Sequence, residues 1–324
     1  MGFTNFPNGI TSFGMPIMGN IPATFGDVYF VDYRNGSDTN AGTSPDSPLK
    51  TLTGAHTKVT SNNNDIILID GDSEIVETAM ITWSKNRTHV IGLNGPMPFA
   101  GYGNGARITQ GTTGVDTDTA TLRVTGVRNT FSGIKFSNSS ATATCLHCVE
   151  DGGEYTRWFN CEFYKSGLLT TDATGELLCN ADSSQYFGCT FGDMVNSRGA
   201  SGVERPNVKC DRLTLTDKHL RDVHFESCTF LHHAAHGDAC HVHGSNQADV
   251  QRRLSFKDCQ FWNNINAAAE MTECVAFDAA QIDGEVLLMN CAGMNTAALS
   301  ATTGVYVQGA VPTAGTTGIA VQAT

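Results

Sequence analysis

The densest group of residues able to do chemistry lies between Leu231 and Gly244, in the segment Leu-His-His-Ala-Ala-His-Gly-Asp-Ala-Cys-His-Val-His-Gly. It holds five of the ten histidines of the chain. On a strand, His241 and His243 project from one face, as metal ligands two residues apart can. Both face outward if Cys240 points into the core. The segment predicts a polar turn whose histidines are hydrogen-bonded or line a subunit contact, or else a metal site made by His232, His236, His241 and His243.

The segment Cys145-Leu-His-Cys148, followed by Glu150 and Asp151, is a second candidate ligand set. No partner pair with zinc-site spacing lies downstream, which favours core packing. Most of the 11 cysteines lie in apolar strand-like runs. They are therefore predicted to be buried, reduced thiols that act as small hydrophobes.

The elements that position these residues are predicted to be short strands. Charged residues make up only 16% of the 324 residues, with 34 glycines and many Thr, Ser and Asn residues. Sustained helical periodicity is absent from the sequence, which makes long helices unexpected. The net charge of −12 argues against a protein that tracks nucleic-acid phosphates, because such a surface is rich in Lys and Arg. No apolar run is long enough to span a membrane.

One motif recurs from residue 131 onward: a Phe, a small or polar bend residue, a Cys, and a Phe two residues after it. The spacings between successive ladder positions are 27, 28, 39, 31 and 32 residues, as expected for the coils of a solenoid. Stacking such coils builds vertical ladders of Cys and Phe in the interior. The ladder positions are Ile134, Cys161, Cys189, Cys228, Cys259 and Cys291.

A second, weaker ladder is predicted between these motifs. Its members are Cys145, Cys179, Cys210, Cys240 and Cys274.

Residues 28–55 contain a short strand ending in Asp, then Gly-Ser-Asp, Asn-x-Gly-Thr and Pro-Leu-Lys-Thr-Leu. This stretch resembles the opening of many pectate-lyase-like β-helix proteins, in which it forms the N-terminal cap and first turn. The predicted fold is all-β, a single-stranded right-handed parallel β-helix with an extended N-terminal arm. The predicted divisions are an arm over residues 1–26, a β-helix over 27–300 with its cap at about 27–60, and a C-terminal β segment or cap over 301–324.

Residues 1–26 are rich in aromatics, prolines and glycines and contain no Lys or Arg. This composition forbids a helix and is too aromatic for a disordered linker. It predicts an arm that packs on a partner or back on its own body, the alternative being an irregular cap. The segment from Gly2 to Ile17 is similar to the opening of structural proteins of tailed bacteriophages. The candidate docking residues are Phe3, Phe6, Phe13 and Phe25.

That resemblance implies a non-enzymatic virion protein, a capsid decoration or cement protein or a head fibre. The implied partners are the major capsid protein or another virion protein, within a homotrimer assembled in the bacterial cytoplasm and located in the virion. The N-terminus has no basic or apolar region typical of a secretory signal. Neither a nucleic acid nor a membrane is an expected partner, and no cofactor is expected apart from a metal ion at the histidine-rich turn.

The alternative is a tailspike or receptor-binding depolymerase acting on a bacterial surface polysaccharide, and a third reading is a bacterial extracellular carbohydrate-active enzyme. Under the alternative, a groove would be lined by aromatics such as Trp158, Trp262, Tyr155, Tyr164 and Tyr186. Hydrolases of this fold use paired carboxylates, and lyases use Arg or Lys bases with calcium-binding acids. The candidates form no recognisable paired motif: Asp182, Asp193, Asp211, Asp217, Asp222, Arg198, Arg205 and Arg212.

Overall fold

The computed structural model describes most of the chain from residue 26 onward. The described residues are 11–12, 15–16, 26–72, 74–95, 105–110, 118–168, 170–171, 173–211, 220–234, 236–245, 250–264, 270–277, 282–308 and 319–321. The four candidate docking residues Phe3, Phe6, Phe13 and Phe25 lie outside this set.

Three long sheets of ten, nine and seven strands run along the chain, and most coils contribute one strand to each of them in turn. Strands are numbered along the chain. The first sheet consists of β3 (Val28–Val31), β4 (Ile66–Ile69), β7 (His89–Gly92), β10 (Thr130–Ser132), β13 (Arg157–Phe159), β16 (Gln185–Phe187), β19 (Val223–Glu226), β22 (Arg253–Lys257), β26 (Glu285–Met289) and β29 (Val305–Val307).

The second sheet consists of β5 (Glu74–Glu77), β8 (Arg107–Gln110), β11 (Lys135–Asn138), β14 (Glu162–Lys165), β17 (Thr190–Gly192), β20 (Thr229–His232), β23 (Gln260–Asn263), β27 (Ala292–Met294) and β30 (Ile319–Val321). The third sheet consists of β6 (Ile81–Trp83), β9 (Leu122–Val124), β12 (His147–Asp151), β15 (Gly175–Cys179), β18 (Val208–Lys209), β21 (Val242–Gly244) and β25 (Val275–Phe277).

Every pairing within these sheets is parallel except that of β30 with β27. Two small pairs complete the described strands: β1 (Thr11–Ser12) with β2 (Met15–Pro16), antiparallel, and β24 (Met271–Glu273) with β28 (Thr296–Ala298), parallel. The chain is therefore a right-handed parallel β-helix, as predicted.

The one helix among the described residues, the short α1 (Leu52–Lys58), packs against β3, β5 and β6. It begins where the Thr51 hydroxyl accepts a hydrogen bond from the Gly54 N–H at 2.8 Å, the usual capping contact at a helix start. It buries Leu52, Gly54 and Ala55. In the described part of the chain, no helix has the length and hydropathy that crossing a bilayer requires.

The corner between the first and second sheets is tight and regular. From β10 to β26, one residue at each of these corners takes a left-handed backbone conformation, which Gly and Asn adopt most readily. These residues immediately precede the ladder positions, as the motif predicted. They are Gly133 (φ 66°), Asn160 (48°), Gly188 (61°), Ser227 (54°), Asp258 (54°) and Asn290 (51°).

The first cysteine ladder is confirmed: its five cysteines are free and buried in the main core. Four of its thiols donate to a backbone carbonyl of the preceding coil. Cys189 reaches Trp158 O at 3.6 Å, Cys228 Tyr186 O at 3.4 Å, Cys259 Phe225 O at 3.5 Å and Cys291 Phe256 O at 3.4 Å.

Two columns of stacked rings fill the interior beside this ladder. One passes through Phe131, Trp158, Tyr186, Phe225 and Phe256, with ring centroids 4.4 to 6.1 Å apart. The other passes through Phe136, Phe163, Phe191, Phe230 and Phe261, with centroids 4.7 to 5.8 Å apart. Because each ring contacts rings in the coils above and below, the columns tie the coils into one continuous core.

The second cysteine ladder is wrong as predicted, because its five members occupy different registers. Cys179 and Cys210 are neighbours in the core, one position after the paired residues Leu178 and Lys209. Cys274 instead lies in the row that contains Cys148. Cys145 and Cys240 are buried in connections that precede strands. Because these connections differ in length from coil to coil, cysteines at similar sequence spacing do not occupy the same register position in successive coils.

Candidate functional site

The histidine-rich turn divides its side chains between the inside and the outside of the helix. His232 ends β20 and His241 immediately precedes β21, and both are fully buried. Their rings meet edge to face, with centroids 4.8 Å apart. His243 lies on the outer side of β21, because the neighbouring Val242 points into the core. His236 is partly exposed in the loop between the two strands.

This arrangement separates the four predicted metal ligands. The expectation that His241 faces outward is wrong, because this residue lies at the corner between the second and third sheets and not within a strand. Its Nδ1 is 2.8 Å from Asn207 Oδ1. Among the described residues, which include all four histidines, no group of three or more His, Cys, Asp or Glu side chains is placed to hold a metal ion.

His232 and His241 belong to a continuous row of buried polar side chains that we call the polar seam. It follows the corner between the second and third sheets. On the second-sheet side, its members occupy the position two residues after each inward Ile or Phe. The seam comprises Gln110, Asn138, Lys165, Asp193, His232 and Asn263 on that side, and Glu176, Asn207 and His241 at the start of the third sheet.

The seam carries a closed network of charges. Arg198 and Arg205 enter it from the connection between β17 and β18, and both are fully buried. Arg198 pairs with Glu176 and Asp193, while Arg205 Nη2 lies 3.2 Å from Glu176 Oε1. Water cannot reach Glu176 or either guanidinium, and a substrate is larger than water. The two arginines proposed as lyase bases are therefore structural groups.

The surroundings of the seam set the protonation of its other members. Burial lowers the pKa of Lys165 to about 8, and its Nζ donates to Ser140 O at 2.7 Å and Asn138 Oδ1 at 3.2 Å. Burial, together with the charge of Arg198, lowers the pKa of His241 to about 3. Burial lowers the pKa of His232 well below its usual value, and the nearby His241, Arg198 and Arg205 lower it further. Both imidazoles are thus neutral at pH 7.

A pocket of about 290 Å³ opens on the outer side of the histidine-rich turn. Its polar lining includes Glu204, Asp238, His243 and Glu273. The Glu273 carboxylate is occupied by the loop that follows β28: it accepts from Ala301 N at 2.7 Å and Ser300 Oγ at 3.2 Å. Asp238 accepts from Gly202 N at 2.8 Å. These carboxylates hold loops together and do not form an open acid–base pair.

A second cavity, a polar groove of about 320 Å³, lies on the outer face of the second sheet. Its floor is a row of three hydroxyl side chains on adjacent strands, Thr109, Ser137 and Tyr164. Asn196 closes one side and donates to the Tyr164 hydroxyl at 2.9 Å. Ser137 is only 5% exposed, and its Oγ has no hydrogen-bond partner among the described residues.

The two cations beside this groove are both neutralised. Arg107 pairs with Glu74, and Lys135 Nζ lies 2.6 Å from Glu162 Oε1. Burial raises the pKa of Glu162, although the charge of Lys135 opposes that effect. The groove therefore presents hydroxyls and amides without a free charge, which suits an uncharged, hydroxyl-rich ligand.

The aromatic residues predicted to line a carbohydrate groove are mostly elsewhere. Trp158 and Tyr186 are fully buried in the ring columns, and both donate to Asp151 Oδ2, at 2.9 and 2.7 Å. The prediction is wrong for these two. Tyr155 is 49% exposed and carries the Arg128 guanidinium over its ring. Of the five, only Tyr164 lines the polar groove.

The remaining candidate acids and arginines are scattered. Asp182 and Asp222 form partly exposed ion pairs with Arg221 and Arg252. Asp211 pairs with Lys209 and accepts from Ser245. Arg212 and Asp217 lie outside the described residues.

Comparison with known proteins supports the architecture. No family model matches the chain, and no curated protein matches it. Among solved structures, a rhamnogalacturonan lyase aligns with a TM-score of 0.57 at 13% identity, over 82% of this chain and 68% of its own. Pectate lyase Pel9A aligns with a TM-score of 0.54 at 13% identity, over 87% and 75%. The fold is that of the pectate-lyase-like β-helices.

A viral protein shares the same architecture. ORF18 of Geobacillus virus E2 aligns with a TM-score of 0.51 at 11% identity, over 76% of this chain. The present chain spans less than half, 46%, of the length of that protein. At such identities the likeness concerns the fold alone.

Proposed function

We propose that this chain is a non-enzymatic structural protein of a tailed-bacteriophage virion, a capsid decoration or cement protein. The observation that carries the proposal is the enclosure of the best-formed polar cluster. Glu176, Arg198 and Arg205 are fully buried, and His232 and His241 lie in the same seam. A catalytic group must contact its substrate, whereas these groups contact only the protein. These five side chains therefore stabilise the fold and are not available to a substrate.

The interior supports the same role. Two ring columns and a cysteine ladder connect successive coils without interruption from Phe131 to Phe261. Unfolding any coil exposes rings in its neighbours as well, because each ring is shared between interfaces. A rigid, protease-resistant body suits a decoration protein. We propose that three copies of the chain form a homotrimer.

Attachment is assigned to the arm. Residues 1–26 carry the resemblance to openings of phage structural proteins, and Phe3, Phe6, Phe13 and Phe25 are its aromatic anchors. Buried aromatics commonly dominate the binding energy of protein interfaces. The fold shared with a protein of Geobacillus virus E2 is consistent with this role. The proposed partner is the major capsid protein or another virion protein.

Localisation in purified particles by electron microscopy, together with a shell-binding assay, tests the proposal. Deleting residues 1–20 should abolish binding to shells that lack the protein. The double substitution Phe3→Ala and Phe6→Ala should weaken binding strongly, whereas the neighbouring Asn5→Ala and Asn8→Ala should not. Normal decoration by the deletion variant, or absence of the protein from particles, contradicts the proposal. Native mass spectrometry tests the trimer.

The polar groove favours a second candidate, a receptor-binding tailspike or depolymerase that holds a polysaccharide. Its hydroxyl-rich floor suits a neutral sugar unit, and so does the Ser137 Oγ, which has no hydrogen-bond partner in the part of the chain that the structure describes. The same fold occurs in a pectate lyase and in a rhamnogalacturonan lyase, which is consistent with this candidate.

A glycan array of neutral and uronic oligosaccharides tests this second function. It requires binding that Ser137→Ala weakens and Ser132→Ala, on the outer face of the first sheet, does not. Release of reducing or unsaturated ends from host polysaccharide would in addition establish cleavage. A chain that binds no glycan on the array is not a tailspike of this kind.

A further inference from the structure

A second apolar cluster, separate from the main core, lies on the outside of the β-helix. It consists of Ile66, Leu68 and Ile91, with Val28 and Phe30 packed against it. In the same strands Tyr29, Ile67 and Val90 belong to the main core. Because side chains alternate along a strand, the separate cluster must project from the opposite, outer face of the first sheet.

The cluster is continuous across three neighbouring strands. Val28 pairs in register with Ile66, and Phe30 pairs with Leu68, which in turn pairs with Ile91. Farther along the same face the row of Val28 and Ile66 continues through the polar Thr130, Arg157 and Gln185, whereas the row of Phe30 and Leu68 contains Phe159 and Phe187 before it reaches Glu226. What distinguishes the end of the sheet nearest the N-terminus is burial, because Phe159 and Phe187 are partly exposed whereas Ile66, Leu68 and Ile91 are not.

This outer cluster is also covered. Ile66, Leu68 and Ile91 are 0%, 5% and 9% exposed. By contrast Arg157, on the same face, is exposed. Something therefore packs over the first three strands of the first sheet.

The segment before β3 has the composition and the position to be that cover. Residues 1–25 contain no Asp, Glu, Lys or Arg, so packing them on an apolar face buries no charge. They include ten Phe, Ile and Met residues. The segment joins the body at β3 itself, the edge strand of the patch. Three strands span only about 10 Å, which about three to four extended residues can cross.

We propose that the N-terminal segment, residues 1–25, folds back in the free protein and covers the outer apolar cluster of Ile66, Leu68 and Ile91. The apolar surface is thereby kept from water before the arm meets any partner. This contact does not depend on the proposed role in the virion.

Photocrosslinking of the purified full-length chain tests the proposal. A benzoylphenylalanine placed at Phe30 should produce a crosslink within the same chain, to peptides from residues 1–25, in a product that migrates as one chain on a denaturing gel. The matched control is the same probe at Lys257. It lies in the same outer row, seven strands away, and should not reach these peptides.

A product of two-chain size from the Phe30 probe would overturn the proposal and identify the face as an interface between copies. Crosslinks only to residues beyond 25 would overturn it as well. A second measurement uses the variant that lacks residues 1–20, checked for native circular dichroism. Its amides in β4 and β7 should exchange at least tenfold faster than in the full chain, while those in β22 are unchanged; equal protection throughout counts against the cover. Loss of shell binding, measured separately, tests only the virion role.

Discussion

Replacing Glu176 by Gln tests whether the polar seam is the structural element described above. Glu176 is fully buried and accepts from both Arg198 and Arg205. Asp193 is the only other carboxylate in direct contact with these guanidiniums among the described residues. The substitution keeps the shape of the side chain but leaves two buried cations with one anion. Breaking a buried pair in this way typically costs about 3–5 kcal/mol.

An exposed ion pair provides the matched control. Arg253 and Glu285 lie 2.8 Å apart with side chains 57% and 39% exposed. Glu285→Gln should cost no more than about 1 kcal/mol, because solvent screens the pair. The contrast between the two Glu→Gln substitutions therefore isolates burial.

The rate of unfolding in guanidinium is the suitable measurement, because a long stacked protein need not unfold in two states. A loss of about 3 kcal/mol corresponds to roughly a hundredfold faster unfolding when the network is absent from the transition state. Glu176→Gln should unfold that much faster than wild type, and Glu285→Gln within about fivefold. A neutral quadruple variant, Glu176→Leu and Asp193→Asn with Arg198→Met and Arg205→Leu, should recover most of the loss. Equal rates for the two Gln variants would refute the reasoning.

Three further outcomes follow from the core. Burial lowers the pKa of His147 and of His241 to about 3. Below pH about 6.5 these histidines therefore bind protons in the unfolded chain but not in the folded one, and each should lower the free energy of unfolding by about 1.4 kcal/mol per pH unit. An unchanged melting temperature between pH 7 and 5 would contradict this. Phe225→Ala should cost about 3–5 kcal/mol, and Phe187→Ala on the outer face clearly less, in thermal melts; similar losses would argue against the assigned faces. All 11 cysteines are free and buried, so a thiol reagent should label almost none of them in the native protein and all 11 in denaturant. Rapid labelling of the native protein would show that the core is accessible to the reagent and would contradict the burial of these thiols.

The part of the fold that could be predicted is the part that repeats. The tight corner between the first and second sheets returns the chain to the same height in every coil from β10 to β26. Its bend residue, Cys and Phe therefore recur as residue types, and their period revealed the solenoid. The second cysteine ladder failed because the connections before the third sheet vary in length. Cys240 and Cys274 show this, since one lies in a loop and the other in the core.

The polar seam was missed because its members share a position but not a residue type. Asn138, Lys165, Asp193, His232 and Asn263 each follow a ladder Phe by two residues. The residue two positions after each ladder Phe is the next one on the strand to point inward, and the sequence itself shows that it is polar in each of these coils. The sequence could not show which partners enter from the loops, as Arg198 and Arg205 do, because that depends on how the long connection folds.

The corner between the first and second sheets is apolar and the corner between the second and third sheets is polar, because the connections at the two corners differ in length. A tight corner keeps its backbone groups paired with the next coil, so small apolar side chains suffice. Long connections leave that pairing, and their buried backbone groups need other partners. The Asn263 side chain provides such partners for Ala234: its Oδ1 accepts from the Ala234 N–H at 2.9 Å, and its Nδ2 donates to the Ala234 carbonyl at 3.0 Å. Asn207 donates to Leu231 O at 2.9 Å.

The seam thereby fixes the shape of the outer surface. The connection that carries Arg198 and Arg205 also carries Asn196, which closes the polar groove, and Glu204, which lines the pocket at the histidine-rich turn. Two buried arginines thus anchor one loop that shapes both cavities. Substitutions in the seam should therefore alter the binding of any ligand or partner at these cavities, although the seam residues do not contact it. Substitutions in the ring columns should lower stability alone.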